Sequence, residues 1–370
     1  MSPRLRALGL EDISDKLRQG ERLTAADGVR LFACPDLHAV GALANQVREA
    51  RHGRRTYYNV NLRIEATNVC AASCLFCSFA RLRPGDPGAY TMSLEQVFDK
   101  VRARAGQPLT EVHIVNGLHP DLPFDYYLDL LRGLKAIRPG LHLKCFTAVE
   151  IAFFADRYGM TDDAVLRALM AAGLDSLPGG GAEIFAPRAR RRIAPDKADA
   201  DRYLSIHRRA HGLGLRTNVT MLYGHIETMA ERVDHLLRVR ALQDETGGFQ
   251  AFIPLAFHPE HNQMRKLPAP PATDTLRVHA VARLMLDNVP HVKAFWIAAG
   301  VEVAQIALWY GADDLDGTVQ EERIYHMAGS PTPEALSSAD IRRLIRAAGR
   351  DPVERDTFYN TLEPAPVLLH

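Results

Sequence analysis

The sequence has no long apolar run, almost no net charge and few cysteines. No stretch of the 370 residues approaches the roughly 18 to 20 apolar residues of a membrane span. The opening segment, MSPRLRALGLEDISDKLRQG, carries charges where a secretory signal needs an apolar core. Because 45 Lys and Arg face 44 Asp and Glu, no global field exists to hold nucleic acid or an anionic membrane. These absences predict a cytoplasmic protein with no nucleic acid and no membrane as partner.

What is present is enough apolar material for a large core and a regular alternation of strand and helix patterns. Hydrophobic residues make up 47% of the chain, and from residue 59 onward β-rich runs alternate with amphipathic stretches, which is typical of a parallel sheet. Ser93, Thr161 and Thr228 are predicted to begin helices between these runs. Eight candidate strands suggest a closed barrel: 59–67, 111–117, 141–149, 174–180, 215–224, 249–257, 291–299 and 314–319.

The predicted fold class is therefore α/β, a TIM-type (β/α) barrel with helical extensions at both ends. We predict an N-terminal helical extension over residues 1–55, the barrel over residues 56–325 and a C-terminal helical extension over residues 326–370. The Pro-rich stretch 267–274 is too short for an interdomain linker and is expected to cross the surface before a helix.

Cysteine is rare but concentrated in one loop. Three of the five cysteines, Cys70, Cys74 and Cys77, directly follow the first candidate strand, with a spacing that suits a metal ion or an iron–sulfur cluster better than disulfides. Three sulfur ligands on a cubane would leave one iron free to chelate a substrate. A Cys-rich structural loop, or a zinc site completed by a distant histidine, is the alternative, although no second CxxC pair follows. Cys34 and Cys145 are expected to be ordinary buried thiols.

Polar residues and glycines cluster where the candidate strands end. In a TIM barrel those ends meet at the catalytic face, so side chains there are candidates for binding and catalysis. For the candidate catalytic residues among them, the alternative is a structural role for each histidine and a solvent-exposed basic loop for the arginine. Candidate catalytic residues are His119, His225, His258 and Arg190. Carboxylates bind hydroxyl or ammonium groups, and glycines admit a ligand close to the backbone. The candidates for cofactor binding are Asn116, Gly117, Glu150, Gly179, Gly180 and Glu183.

The cysteine loop, C-x3-C-x2-C with Phe76 before the last cysteine, resembles that of the radical S-adenosylmethionine (SAM) superfamily. The resemblance implies a [4Fe-4S] cluster on Cys70, Cys74 and Cys77, with SAM bound to the open iron. It also implies that Phe76 lies beside the adenine and that the turn containing Gly117 receives the methionine amino group. Asn116 departs from the pattern, because relatives are expected to have a further glycine there.

Motifs between residues 59 and 360 narrow the resemblance. The segments PGGGAE (178–183), TMLYGHIE (220–227) and FIPLAFHP (252–259) are similar to those of the aminofutalosine synthases. That family implies SAM as a consumed co-substrate and a dicarboxylate substrate, 3-[(1-carboxyvinyl)oxy]benzoate. Addition of the adenosyl radical to the enol ether would give aminofutalosine, methionine and carbon dioxide or bicarbonate in menaquinone biosynthesis. A reducing electron donor of flavodoxin or ferredoxin type would be a partner.

Three other functions remain open from the residues. A cyclic dehypoxanthine futalosine synthase shares the cysteine loop and the PGGGAE turn but begins its reaction by hydrogen abstraction, and a deazaflavin F0 synthase is a further radical enzyme. The FIPLAFHP segment favours the aminofutalosine synthases over both. A non-catalytic iron–sulfur electron carrier needs neither an open iron nor a large barrel with polar loops on one face.

Overall fold

The computed structural model describes residues 3–362, which begin with a helical extension as the sequence predicts. Thr24 and Asp27 form a reciprocal capping box at the start of the third helix, and the Asp36 carboxylate accepts from Ala39 N at the start of the fourth. Gly20, with φ 72°, ends the second helix in the left-handed conformation that glycine tolerates. The four helices are α1 (Pro3–Ala7), α2 (Glu11–Gln19), α3 (Ala25–Ala33) and α4 (Leu37–His52).

The strands form two parallel sheets. Within residues 3–362 the strands are β1 (Arg55–Asn59), β2 (Asn61–Ile64), β3 (Glu111–Ile114), β4 (His142–Cys145), β5 (Ser176–Leu177), β6 (Arg216–Tyr223), β7 (Phe249–Ala256), β8 (His291–Val292), β9 (Asp314–Gly317) and β10 (Asp351–Glu354). The main sheet runs β2-β3-β4-β5-β6-β7-β8 in chain order, and the smaller one runs β10-β1-β9. The chain-order sequence of parallel neighbours is what repeated βα units produce.

The barrel is closed by β9, which lies between the two edges of the seven-stranded sheet. On one side Ala294 N, just past β8, donates to Asp314 O at 2.8 Å. On the other side Arg63 N, in β2, donates to Gln320 O at 2.9 Å, just past β9. The predicted TIM-type barrel is therefore confirmed, although the eighth strand is attached by only a few backbone hydrogen bonds.

Helices cover the outside of the barrel, and the predicted starts are confirmed. Ser93 with Gln96 and Thr228 with Glu231 form capping boxes, and Thr161 accepts from Ala164 N. The helices are α5 (Leu94–Arg102), α6 (Phe124–Ile137), α7 (Ala148–Tyr158), α8 (Asp162–Ala172), α9 (Pro187–Ile193), α10 (Ala200–Gly212), α11 (Met229–Thr246), α12 (Ala272–Met285), α13 (Trp296–Ala299), α14 (Val301–Ala307), α15 (Ile324–Met327) and α16 (Ser338–Ala347).

Three parts of the predicted strand pattern are wrong in detail. The strand predicted over 141–149 ends at Cys145, because Thr147 and Glu150 form a capping box that begins α7. The strand predicted over 291–299 ends at Val292 and is followed by α13, and the run 59–67 is divided between β1 and β2. The C-terminal extension contains β10 as well as α16. Residues 363–370 lie outside the described part of the chain.

No helix within residues 3–362 is both long enough and apolar enough to cross a membrane. The domain boundaries at residues 55 and 325 stay a proposal. β1, at the start of the predicted barrel segment, pairs in parallel with β10 of the predicted C-terminal extension, so the small sheet connects these two segments.

Candidate active site

A cavity of about 250 Å³ opens at the carboxyl ends of the barrel strands. Its walls are mainly apolar, and the loop carrying the three clustered cysteines forms one side. Most of the residues predicted from the sequence line it: Cys70, Cys74, Cys77, Phe76, Asn116, Gly117, Glu150, Gly179, Gly180, Glu183 and His258. Convergence of loop residues from different strands at this end is what a TIM-type barrel produces.

The cysteine loop is held by backbone hydrogen bonds from three sides. Cys70 N donates to Arg81 O at 2.8 Å, Leu75 N donates to Ile193 O at 2.8 Å, and Gln263 N donates to Leu75 O at 3.0 Å. These bonds keep all three thiols on one cavity, whereas Cys34 and Cys145 are not among its lining residues. The loop therefore presents three soft ligands to one centre.

The spread of the three sulfur atoms fits a cluster better than a zinc ion. Sulfur ligands of one tetrahedral zinc ion lie about 3.8 Å apart, given Zn–S bonds of about 2.3 Å. Among residues 3–362, the group of three or more potential ligands whose atoms all lie within 4.8 Å of one another is His52, His291 and Asp313, and the three loop cysteines form no such group. The residues present therefore fit a cubane, whose cysteine ligands sit on separate iron atoms.

Burial and a nearby cation act in opposite directions on the thiols. Burial raises the pKa of Cys74 to about 11, and the ammonium group of Lys197 opposes this shift. Burial likewise raises the pKa of Cys70 and Cys77, again against Lys197. Metal binding requires the thiolate, so this cation favours the form that binds.

Lys197 is a site residue that the sequence analysis missed. Its Nζ lies 2.6 Å from Glu183 Oε1 and 5.3 Å from the centre of the Phe76 ring. Although burial lowers its pKa, Cys74 and Glu183 raise it above the usual range, so the side chain is a firm cation. No motif in the sequence marks it, because a lysine in a polar loop ordinarily points to solvent.

Asn116, Gly117 and Glu150 are joined at the ends of β3 and β4. Glu150 Oε1 accepts from Asn116 N at 3.0 Å, and its Oε2 accepts from Thr147 N at 2.7 Å. Burial raises the pKa of Glu150 to about 7 against these hydrogen bonds. A Cβ on Gly117 would lie 2.3 Å from Val69 O, so the glycine is needed by the chain's own packing.

The PGGGAE turn packs closely against the barrel. Gly179 O accepts from Tyr203 Oη at 2.6 Å and from Thr220 Oγ1 at 2.8 Å. A Cβ on Gly179 would lie 2.7 Å from Val219 Cα, whereas a Cβ on Gly180 would meet only the Thr147 methyl group at 3.2 Å. Gly180 is thus the glycine of the turn that leaves room on the cavity side.

Two of the predicted catalytic histidines lie outside the cavity lining. His119 Nδ1 accepts from Asp121 N at 3.1 Å and from Leu122 N at 3.2 Å, which is a loop-capping arrangement. The His225 side chain is fully buried, and its Nε2 lies 3.1 Å from Leu222 O. Its Nδ1 faces Glu227 Oε2 at 3.0 Å without forming a hydrogen bond. The local hydrogen bonds of both rings are typical of structural histidines.

Of the other two catalytic candidates, His258 lines the cavity and Arg190 does not. Arg190 is 3% exposed and outside the lining, and its guanidinium donates to the carbonyls of Gly181, Ala182 and Ala198. His258 lines the cavity, with Nε2 2.9 Å from Ala298 O. A carbonyl only accepts, so His258 Nε2 carries the proton and Nδ1 is the acceptor of the neutral ring.

One wall of the cavity, called its floor below, carries polar side chains that the sequence analysis did not predict. Arg63 in β2, His113 in β3 and Lys144 in β4 occupy one register across neighbouring strands. Arg63, Glu65, His113, Asp316 and Glu322 all line the cavity. The charged residues in NLRIE (61–65) and EVHIV (111–115) are the available signal, but a strand pattern does not reveal which face turns inward before the barrel is known.

Two family descriptions match the chain. The description "Radical SAM superfamily" matches residues 64–239, and "CofH/MqnC C-terminal region" matches residues 246–367. In a comparison of folds, the structure of the FeFe-hydrogenase maturase HydG from Carboxydothermus hydrogenoformans is similar with a TM-score of 0.74 and 17% identity. This likeness covers 96% of this chain and 82% of that one, and it supports the fold alone.

Similarity to characterised proteins is much higher. The chain is 51% identical over 351 residues to the aminodeoxyfutalosine synthase of Thermus thermophilus, which covers 94% of each chain. It is 48% identical to the aminodeoxyfutalosine synthase of Streptomyces coelicolor, over 95% of this chain and 93% of that protein. The cyclic dehypoxanthine futalosine synthase of S. coelicolor is 36% identical, over 95% of this chain and 89% of that protein.

The barrel and its three-cysteine cavity define a radical SAM enzyme. The cofactor of that superfamily is a [4Fe-4S] cluster, which is used together with SAM. With half of its residues shared along nearly the whole length, the chain belongs to the aminodeoxyfutalosine synthase family of that superfamily.

Proposed function

We propose that the chain transfers the 5′-deoxyadenosyl group of SAM to the enol ether of 3-[(1-carboxyvinyl)oxy]benzoate. The products are 6-amino-6-deoxyfutalosine, methionine and carbon dioxide or bicarbonate, in menaquinone biosynthesis. The observation that carries the proposal is the single cavity onto which the three cysteines, the PGGGAE turn and a polar floor all open. Transfer between two small molecules requires both to be held in one enclosed space.

The chain's own residues bind, orient and exclude water. When bound, the cluster and SAM together supply a carbon radical, which is chemistry that no side chain provides. Cys70, Cys74 and Cys77 hold the cluster, and the Lys197 ammonium is placed to attract the carboxylate of SAM. Water is kept from the reacting atoms by apolar side chains that line the cavity: Leu222, Ile253, Leu255, Phe257 and Phe295.

Of the four candidate catalytic residues, we retain His258 in contact with the reactants. Its Nδ1 is the free acceptor of the ring and suits a hydroxyl group of the adenosyl ribose. Arg190, His119 and His225 become positioning residues in this proposal. Arg190 ties the PGGGAE turn to the following loop through its carbonyl partners.

A small acidic electron carrier of flavodoxin or ferredoxin type is the proposed reductant. The cysteine loop is flanked by exposed basic residues on both segments that hold it by backbone hydrogen bonds, Arg191 and Arg192 before Ile193 and Arg265 and Lys266 after Gln263. Complementary charge would speed the encounter with such a carrier. Location in the cytoplasm stays a prediction from the sequence.

Product analysis with labelled SAM tests the reaction. The protein is reconstituted anaerobically with iron and sulfide, reduced, and supplied with the enol-ether benzoate and SAM carrying carbon-14 in the ribose. Addition to the substrate places the label in the adenosylated product, with only minor free 5′-deoxyadenosine. Recovery of all label as free 5′-deoxyadenosine, one per product, would instead assign hydrogen abstraction and rule out the proposed transfer.

A further inference from the structure

Arg63 has one donor that the protein leaves unused at the cavity floor. Its terminal nitrogens are occupied, one against His113 Nδ1 and the other 2.5 Å from Asp316 Oδ2. Arg63 Nε is buried and has no hydrogen-bond partner among residues 3–362. Buried donors are nearly always paired, so an unpaired one on a cavity wall indicates an acceptor that comes with a ligand.

Glu65 provides a second unused polar atom on the same wall. The residue is 4% exposed, lines the cavity and follows Arg63 by two positions. Its Oε2 is buried without a hydrogen-bond partner within the described chain. Burial and the facing carboxylate of Glu322 raise the pKa of Glu65 well above its usual value, which favours the protonated carboxyl group and its O–H donor.

The neighbouring carboxylates are already satisfied, which leaves the floor short of negative charge. Glu322 accepts from Tyr325 N at 2.9 Å and pairs with His326 at 3.3 Å. Lys144 pairs with Glu111, and Lys293 and Arg63 share Asp316. Arg63, Lys144 and Lys293 thus face Glu111 and Asp316, while Glu322 is paired with His326. With Glu65 protonated, this balance of charge favours an anionic ligand.

Apolar and aromatic side chains line the same cavity as Arg63. Its guanidinium lies 5.4 Å from the centre of the Phe295 ring. Ile253 and Leu255 of β7 and Ile324 of α15 also line this cavity. An aromatic ring packs well against such walls, and a carboxylate on the ring would meet the donors at its edge.

We propose that Arg63 and Glu65 form a subsite for the carboxylate of an aromatic acid, with Arg63 Nε and the Glu65 carboxyl as its two donors. The inference rests on the proposed function, because it assigns the ring carboxylate of the enol-ether benzoate to the floor. The enol ether then lies toward the cysteine loop at the other end of the cavity. Specificity follows from the unpaired donors, since a substrate lacking the carboxylate leaves them unsatisfied.

Paired substrates and variants test the subsite in the reconstituted enzyme. The enol-ether benzoate is compared with the methyl ester of its ring carboxylate, in the wild type and in Arg63→Gln, Glu65→Leu and Glu65→Gln. We expect Arg63→Gln and Glu65→Leu to lower kcat/KM for the acid by about 10- to 100-fold through KM, as loss of a charge-assisted hydrogen bond does. Turnover of the ester should fall much less than turnover of the acid, and Glu65→Gln, which keeps a donor, should lose less activity with the acid than Glu65→Leu.

The control variant is Arg323→Gln, an exposed arginine next to Glu322 that does not line the cavity. It should treat acid and ester as the wild type does. Equal losses on acid and ester in Arg63→Gln and Glu65→Leu would overturn the subsite. If Arg63→Gln does not fold, as judged by its circular dichroism, the comparison of Glu65→Leu with Glu65→Gln decides alone.

A binding measurement separates this inference from the proposed reaction. Equilibrium dialysis of 3-methoxybenzoate, an unreactive aromatic acid, is carried out with the oxidised cluster-loaded enzyme. Tighter binding of this acid than of its methyl ester, lost in Arg63→Gln, supports the subsite even if no adenosylated product is found. Formation of the product together with equal affinity for acid and ester would retain the proposed function and reject the subsite.

Discussion

The two ends of the barrel bury polar side chains in different surroundings. At the amino ends of the strands, Asp313 accepts from His291 Nδ1 at 2.6 Å and from Val292 N at 2.9 Å, and it pairs with Arg283. The Tyr359 ring stacks on His291 with centroids 3.5 Å apart. At the carboxyl ends, Arg63 and Glu65 keep atoms with no partner within residues 3–362.

The difference shows what separates a structural cluster from a binding site. The ligand atoms of His52, His291 and Asp313 are close enough to hold a metal ion. Arg283 occupies the carboxylate from the other side, so the negative charge that a metal ion would need is already neutralised. Within residues 3–362 both ends bury ligand-type residues and both have an unpaired polar atom, Tyr359 Oη at the amino end among them, but only Arg63 and Glu65 of those named here line the cavity.

Removing one cysteine should break function and leave the structural end untouched. Cys74→Ala is expected to lose its iron and the charge-transfer absorbance, and its turnover should fall to background. The control is Cys145→Ala, which changes a buried cysteine away from the cavity and should keep both iron and turnover. Iron content and product formation are measured together. Full iron content in Cys74→Ala would contradict the assignment of the ligands.

Removing the Asp313 carboxylate should lower the stability of the protein and leave its activity nearly unchanged. Asp313→Asn leaves Arg283 with an uncompensated buried charge, so we expect the free energy of unfolding to fall by about 3–5 kcal/mol. The control is Glu245→Gln, which breaks a solvent-exposed pair with Arg208 and should change the free energy of unfolding far less. Urea unfolding gives both values. Activity per cluster-loaded molecule should stay near that of the wild type, and its loss would remove the distinction between the two ends.

Acid should weaken the structural end through His52. Burial lowers the pKa of His52 from its usual 6.5 to about 4, although Asp313 opposes the shift. The unfolded chain therefore binds a proton that the folded chain refuses, and the free energy of unfolding falls as the pH drops from 6.5 toward 4. The loss assigned to this residue is about 3 kcal/mol. The free energy of unfolding is measured at several pH values for the wild type and for His52→Gln, and the wild type should lose more of it between pH 6.5 and pH 4. If the two plots of unfolding free energy against pH run parallel, the prediction is wrong.

The smallest expected effect concerns His225, which was a catalytic candidate by sequence. Because its ring lies outside the cavity lining and its Nε2 is engaged by Leu222 O, His225→Gln should change kcat/KM by less than about threefold. His258→Gln, which alters a ring on the cavity wall, should raise KM for SAM more than this. The two are compared at equal cluster loading. A larger effect at His225 would place it in the catalytic machinery.

The sequence predicted those features that depend on local chemistry. The cysteine loop, the helix caps at Ser93 and Thr228 and the order of the barrel strands follow from short patterns, and the structure contains them. The strand predicted over 141–149 was wrong because β-branched and aromatic residues extend past Cys145. The capping box of Thr147 and Glu150, which is also visible in the sequence, decides in favour of a helix there.

Features that depend on distant parts of the chain could not be predicted. Lys197 becomes a site residue only because its loop folds back onto Phe76 and Glu183. The inward direction of Arg63 follows from closure of the barrel, which brings Asp316 of β9 beside it.

Asp316 acts as a clasp on the barrel. Its carboxylate accepts from Lys293 Nζ, just past β8, at 2.7 Å and from Arg63 in β2, so one side chain spans both edges that β9 closes. These partners are far apart along the chain, and such contacts form late because loop closure costs entropy. The ion pairs of Asp316 should therefore form after the seven-stranded sheet has assembled. A substitution that removes them should raise the rate of unfolding more than it lowers the rate of folding.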